Sequence, residues 1–518
     1  MYLIILTALI GCTITQAIYR LYFHPLHTFP GPKIAAATFL YQFFYDAVLG
    51  GRYIWEVEKM HEKYGPIVRI NPRDLHIKDS HYFDTIYRIP KQEKDAPSAA
   101  IFMSPYSMIS TISHNQHRTR RAMLNNFFSK QAVVKLEPRI QAQVNKLIER
   151  LEIASRQPGN TPVRVHDAFA DLTIDVITEY TYGESMGCLD DPDETNSMSE
   201  AVEGFGVLVH LMWFLPGLVK LFRATPLSVI ERFQPKAAKL FGVKRMISNR
   251  SIAILQKKTP GDDSNEDKPP QTVFEALTAP SVPAEEKTLP RLEDESFVVL
   301  IAGMGTTMKV LTLGALHLAH NKALARTLRE ELRQVMPEPS SRPSCAQLEK
   351  LPYLTGVINE SLRLSHPLLF RMARVSPVDP LVYGKYVIPP GTPISESSYF
   401  VHMDPSLFPD PDSFDPDRWI RASEQGFSLT SFLVPFSKGS RQCLGIKWVH
   451  SETLYENKCL SYSLAYAELY LTFAAVFRRF DLDLVETSIG DLRITRDLGG
   501  GFPENKKFQV FASVREVS

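Results

Sequence analysis

The chain has 518 residues, 44% of them hydrophobic, 22% charged and 10% aromatic, which fits an ordered globular protein with a large core and excludes a disordered or low-complexity chain. Lys and Arg (58) nearly match Asp and Glu (57), so the chain lacks the electrostatic footprint of a nucleic-acid binder. Five cysteines, odd in number and without CxxC spacing, indicate neither a disulfide framework nor a zinc site and suit a reducing compartment.

The first predicted element is "YLIILTALIGCTITQAIY", Tyr2 to Tyr19, almost uncharged and about 27 Å long as a helix at ~1.5 Å per residue. No basic region precedes it, no clear small-residue cleavage site ends it, and Arg20, Tyr22 and Phe23 follow as an interfacial belt would. It reads as an uncleaved single-pass anchor over residues 1–20; a signal peptide or a buried N-terminal helix is the alternative, and Thr13, Thr15 and Gln16 reduce the hydrophobicity of the stretch. Residues 21–33 hold "HPLHTFPGPK", whose prolines predict a stiff, extended connector that keeps the globular part off the membrane.

From Ile34 onward the pattern is mainly α with small β-sheets. Long helical segments are predicted over Asp171 to Tyr182 and Glu295 to Met336, and strands within "GPIVRINP" (Gly65 to Pro72) and "LVYGKYVIPPGTPI" (Leu381 to Ile394). The stretch Lys257 to Pro290, with "KKTPGDDSNEDKPP", reads as a surface loop between two long helices, and no new family of patterns follows it, so residues 34–518 are one domain.

The chemistry concentrates near the C-terminus. Phe436, Gly439, Arg441, Cys443 and Gly445 form a set in which glycines permit a tight loop around one cysteine. Backbone N–H groups and the positive end of a following helix would lower the thiol pKa and damp the sulfur's reactivity, as an axial metal ligand needs. Taken alone, a single cysteine is more often a small core residue. The pattern F-x-x-G-x-R-x-C-x-G, with "INESLR", "FDPDRW", "HRTRR" and "LIAGMGTT" in matching order, resembles the cytochrome P450 family, most closely fungal microsomal members of the trichodiene-oxygenase type.

The resemblance implies a P450 fold behind a single N-terminal transmembrane helix, haem b as cofactor and Cys443 as its iron ligand. It places Phe436 in the haem loop and His117, Arg121, Arg374 and Arg441 at haem-binding positions, the arginines on the propionates. It makes Glu360, Arg363 and Arg418 a buried Glu-Arg-Arg network and Thr306 the oxygen-activating residue, whose hydroxyl helps protons reach oxygen. Gly305 stands where the family usually carries an acid, which leaves open a haem-thiolate enzyme that rearranges or dehydrates without inserting oxygen. Pocket positions by resemblance lie in "AAIFMSPYSMI" (Ala99 to Ile109), "FGVLVHLMWF" (Phe205 to Phe214) and "PLLF" (Pro367 to Phe370), with Phe102, Met103, Ile301, Ala302, Leu368 and Leu369 as candidates; each is equally well a core residue. Expected partners are the membrane, an NADPH-cytochrome P450 reductase and a lipophilic substrate, terpenoid or a related secondary metabolite, with no nucleic acid. The expected location is the endoplasmic reticulum with the catalytic domain facing the cytosol.

One stretch departs from the pattern. Similar proteins read C-L-G-I-N-L-A-Y-A-E-L, but here Lys447 to Ser463, seventeen residues, stand between Ile446 and Leu464 where one is usual. A retained intron explains it if Lys447–Trp448 is encoded AAG-TGG and Tyr462–Ser463 TAC-AGC, because excision then leaves AAC, an asparagine codon. The competing explanation is a genuine insertion on the proximal surface, with Cys459 incidental. Either a functional or a catalytically impaired haem-binding product is compatible with it.

Overall fold

The computed structural model describes residues 1–157, 161–190, 206, 209–215, 217–226, 228–229, 232, 235–257, 272–446 and 463–517. Residues 447–462 of the suspected insertion 447–463, with Cys459, residues 258–271 of the predicted loop, and Phe205, Val207 and Leu208 of the pocket stretch lie outside the described residues.

Helices dominate, as the periodicity predicts. The central one is Leu289–His320, and its length follows from a run of apolar residues whose interior holds no proline. Numbered in chain order, the helices that place the site are α1 (Tyr2–Tyr22), α2 (His114–Asn125), α3 (Val165–Tyr182), α4 (Leu289–His320), α5 (Lys322–Leu332), α6 (Pro352–Ser365) and α7 (Leu464–Arg479). Helix α4 packs on α3, α6 and α7 and buries Leu300, Leu311, Leu316 and Leu318 completely. Each such side chain contributes about 1.5–3 kcal/mol.

The segment expected as one helix from Glu295 to Met336 is two, because Asn321 leaves helical geometry and its side chain accepts from the Ala323 N–H at 3.1 Å, capping α5. Part of the expected loop before Pro290 is likewise ordered. Thr272 and Glu275 form a capping box for a short helix, Val273–Leu277, that buries Val273, Phe274 and Leu277.

The two strand predictions hold. A five-stranded sheet has the order β1-β2-β5-β4-β3, with β1 Ile67–Arg69, β2 Leu75–Ile77, β3 Glu93–Lys94, β4 Arg374–Val375 and β5 Pro393–Ser395. A two-stranded hairpin pairs β6 (Arg496–Asp497) with β7 (Gly501–Phe502) in antiparallel register.

The proline-rich connector differs from expectation. It makes tight turns, His27 N–H to His24 O at 2.8 Å and Phe29 N–H to Leu26 O at 3.2 Å, instead of running extended. The cause is hydrophobic: Leu26 and Phe29 are buried beside β1 and β2, and Phe29 stacks on Tyr386 with ring centroids 5.4 Å apart. The end of α1 is fastened as well, since Arg20 Nη1 donates to Ala37 O at 2.9 Å and Arg69 Nη1 donates to Arg20 O at 2.8 Å. Both α1 and α4 are long and apolar enough to cross a membrane; α4 is mostly buried in protein, whereas α1 buries none of its residues.

Gly303 and Gly305 sit in unbroken helix. A Cβ on Gly303 would come 2.6 Å from Ile177 Cγ1, so this glycine lets α3 approach, while a Cβ on Gly305 would meet nothing within 4 Å. Gly303→Ala is therefore expected to destabilise by about 1–3 kcal/mol through overpacking. Gly305→Ala is expected to stabilise by up to about 1 kcal/mol through helix propensity. Denaturant midpoints of the two variants test this pair of opposite signs.

Candidate active site

Cys443 lies in a loop closed on itself: its N–H donates to Phe436 O at 2.9 Å across a 3-10 turn, Gly439–Arg441. Gly439 has φ +75°, and a Cβ there would fall 2.0 Å from Tyr87 O, so only glycine lets the loop pass this close to the neighbouring backbone. The Phe436 ring contacts Tyr466 of α7 with centroids 5.8 Å apart. Helix α7 thus starts beside the cysteine loop, with buried Ser463 capping it by accepting from Tyr466 N–H at 3.2 Å.

Burial pushes the Cys443 thiol pKa up, opposed by the N–H groups of Gly445 and Ile446 and by the Arg121 guanidinium. Its side chain is nevertheless accessible. The expected thiolate-supporting amides are therefore loop amides, and it is the loop that aims them at the sulfur.

Arg121 does not point away from this loop: its Nη1 donates to Gln442 O at 2.7 Å and its Nη2 to Cys443 O at 3.4 Å. Arg441 Nη1 donates to Thr111 O at 2.6 Å, and Arg374 Nη1 to Met372 O at 3.0 Å with its guanidinium 5.0 Å from the Tyr87 ring. The Nε atoms of Arg374 and Arg441 are buried without a partner.

A residue that the sequence reading missed completes this group. Lys94, on β3 opposite Arg374, is buried, donates to Ile109 O at 2.6 Å and has its pKa held well below the ordinary lysine value by burial, Arg374 and Arg441. Burial, then Arg441, Arg121, Lys94 and Arg374, pushes the pKa of His117 on α2 down to about 3, so this imidazole is neutral. Glu93 acts on Arg441 but cannot balance three guanidinium groups, Arg374 buried and Arg121 and Arg441 half-buried, and Lys94 needs an anion beside it to stay protonated. Desolvated charge in such excess calls for anionic partners. A planar group carrying two carboxylates fits these donors, as it fits the accessible sulfur beside them.

Behind the loop, Glu360, Arg363 and Arg418 converge. Glu360 accepts from Arg363 Nη2 at 2.6 Å and Nε at 2.9 Å, from Arg418 Nε at 3.0 Å, from Trp419 Nε1 at 3.1 Å and from Asp415 N–H at 3.1 Å. Arg363 also donates to His402 O at 2.9 Å, and His402 Nε2 accepts from Val434 N–H at 2.9 Å, two residues before Phe436. Burial holds the His402 pKa well below its ordinary value, which leaves a neutral ring able to accept there. Trp419 and His402 escaped the sequence reading, although Trp419 directly follows Arg418 in "FDPDRW".

On α4, Ile301 is half-buried and Ala302 is exposed although most of the helix is core. Thr306 shares the face of Ala302, with its Oγ1 donating to Ala302 O at 2.7 Å. Phe102, Met103 and Leu368 are also half-buried, and Phe102 meets Phe370 edge-on at 5.5 Å. Leu369 is a correction: it is fully buried in a separate cluster with Tyr53, Ile54 and Phe400, and packs the core instead of a pocket.

Comparison with known proteins agrees with this geometry. The family model described as Cytochrome P450 matches residues 30–453. The chain is 44% identical over 513 residues, 98% of each chain, to the cytochrome P450 monooxygenase aflU of Aspergillus parasiticus. It is 42% identical over 502 residues, 96% of each chain, to the conidiogenone synthase PchP450 of Penicillium rubens. It is 38% identical over 492 residues, 94% of this chain and 90% of the relative, to the cytochrome P450 monooxygenase TRI4 of Trichoderma arundinaceum.

Proposed function

The chain belongs to the cytochrome P450 family, and from that premise we propose that it is a membrane-anchored haem-thiolate monooxygenase acting on a terpenoid or related secondary metabolite. The observation that carries the reading is the accessible Cys443 sulfur in a loop held by Arg121, together with the cluster of desolvated basic side chains Arg374, Arg441 and Lys94 around His117. Haem b, when bound, supplies the oxidation of a C–H bond by dioxygen with electrons from an NADPH-cytochrome P450 reductase.

Cys443 would give its sulfur to the iron, with the N–H groups of Gly445 and Ile446 stabilising the anionic sulfur. Arg374, Arg441 and Lys94 would hold the carboxylates, with neutral His117 beside them; Arg121 acts chiefly by fixing the cysteine loop through the Gln442 and Cys443 carbonyls. Glu360 and its two arginines hold the loop from behind through His402 and Val434. Thr306 holds a proton donor at the helix face beside Ala302, and with no carboxylate at Gly305 water delivers the proton to that hydroxyl. Phe102, Met103, Ile301, Ala302 and Leu368 exclude water and orient an apolar substrate. Helix α1 carries the catalytic body on the cytosolic face of the endoplasmic reticulum.

The test has two arms. The reduced, carbon-monoxide-treated chain in microsomes is expected to give the red-shifted Soret band of thiolate ligation, and sesquiterpene and diterpene hydrocarbons supplied under isotopically labelled dioxygen are expected to yield labelled alcohols. Unlabelled, rearranged products would replace oxygenation by isomerisation. A band seen only after residues 447–463 are replaced by one asparagine would assign the interruption to an unspliced transcript; the family match ends inside it, at residue 453, while relatives align with nearly the whole chain.

A further inference from the structure

The α4 face that carries Thr306 continues, one turn on, to a lysine. Lys309 is buried, its Nζ donates to Gly501 O at 3.0 Å, and the ammonium sits 3.4 Å from the Phe502 ring centroid. Gly501 is bound on its other side too, its N–H donating to His366 O at 2.9 Å. One peptide position therefore ties together α4, the chain leaving α6 toward Leu368, and the β6–β7 hairpin. The fit leaves no slack: a Cβ on Gly500 would lie 2.5 Å from Pro367 O and 3.0 Å from Lys309 Nζ. The hairpin is held from the outside as well, with His210 Nε2 donating to Asp497 O at 2.5 Å and Asp497 N–H donating to Gly51 O at 2.8 Å.

A lysine is rarely placed in a core, because its ammonium must be desolvated. Here a carbonyl and an aromatic face replace the water. An apolar side chain would pack this position at a lower desolvation cost, so what the lysine adds is the fixed contact to Gly501 and Phe502. We infer that Lys309 is a positioning residue for substrate selection: it sets the distance of the β6–β7 hairpin from the α4 face and from Pro367, beside the pocket candidate Leu368, and so the shape of the pocket there. The inference rests on the haem-thiolate reading of the same site.

The test uses azole binding to the haem protein, with plain imidazole as a probe of the iron alone and clotrimazole as a bulky probe that reaches that side of the pocket. Lys309→Met is expected to keep the red-shifted carbon-monoxide band and imidazole affinity within about twofold, while clotrimazole affinity changes at least about fivefold, equal to about 1 kcal/mol. Hydrogen exchange of the amides in residues 496–502 is expected to accelerate without a change in α6. Unchanged clotrimazole affinity and unchanged exchange would overturn the assignment; equal loss for both azoles would mean general damage and would overturn it as well. Should Lys309→Met not bind haem, Phe502→Leu, which removes the ring beneath the ammonium, decides by the same criteria. Absence of the band in the unmodified protein would instead reject the haem-thiolate reading.

Discussion

Replacing Cys443 by alanine or serine is expected to abolish the red-shifted carbon-monoxide band and monooxygenase activity together, whereas Cys459→Ala is expected to leave both intact. Serine is nearly isosteric with cysteine, but its hydroxyl is far too weak an acid to become the anionic ligand that the Gly445 and Ile446 amides stabilise in the native loop. The loop itself is held by groups that the substitution does not touch: the Cys443 N–H to Phe436 O bond at 2.9 Å and the Arg121 bond to Gln442 O at 2.7 Å. The substitution leaves Lys94, Arg374 and Arg441 unaltered, so haem is expected to stay bound in the serine variant with a spectrum lacking thiolate character. A serine variant that keeps the band would remove Cys443 from the iron.

The second large effect is expected at Glu360. Its carboxylate receives two guanidinium groups, an indole N–H and a backbone N–H in a fully buried setting, and Glu360→Ala would leave Arg363 and Arg418 as buried charges without an anion. Breaking a buried pair in this way costs about 3–5 kcal/mol, comparable with much of a domain's net stability. The loss should pass through His402 to Val434 and reach the cysteine loop. The expected result is a chain that accumulates with little haem and unfolds at a much lower denaturant concentration; a holoprotein of unchanged midpoint would show the network to be dispensable.

Legibility differed by the kind of constraint. The cysteine loop and the Glu360, Arg363 and Arg418 set were legible only as a constellation: a lone cysteine or one E-x-x-R spacing is common, and it is the joint order and separation of the motifs, by their resemblance to a known family, that single these residues out. Lys94 could not, because a lysine in "QEKDAP" looks like any solvated charge until β3 pairs with β4 and puts it opposite Arg374. His402 was hidden for a related reason: its function is a neutral acceptor nitrogen, which depends on burial and not on sequence context. The break at Asn321 and the folded connector were misread where local apolar or proline patterns outweighed, respectively, one capping side chain and two buried ones. Leu369 differs from Leu368 only in which side of the chain it occupies, a matter of backbone direction that a list of apolar residues does not contain.

The two hydrogen bonds at the end of α1, Arg20 to Ala37 O and Arg69 to Arg20 O, make the first helix a lever arm and not a tether. A tethered body rotates freely about its leash; a body joined this way inherits the inclination of its anchor. Membrane helices lean by about 20° on average, and with α1 inserted as proposed that lean would be transmitted through Arg69 to the sheet that carries Lys94 and Arg374. On that proposal the angle at which the catalytic body meets the bilayer is set by two arginines and the length of one apolar helix.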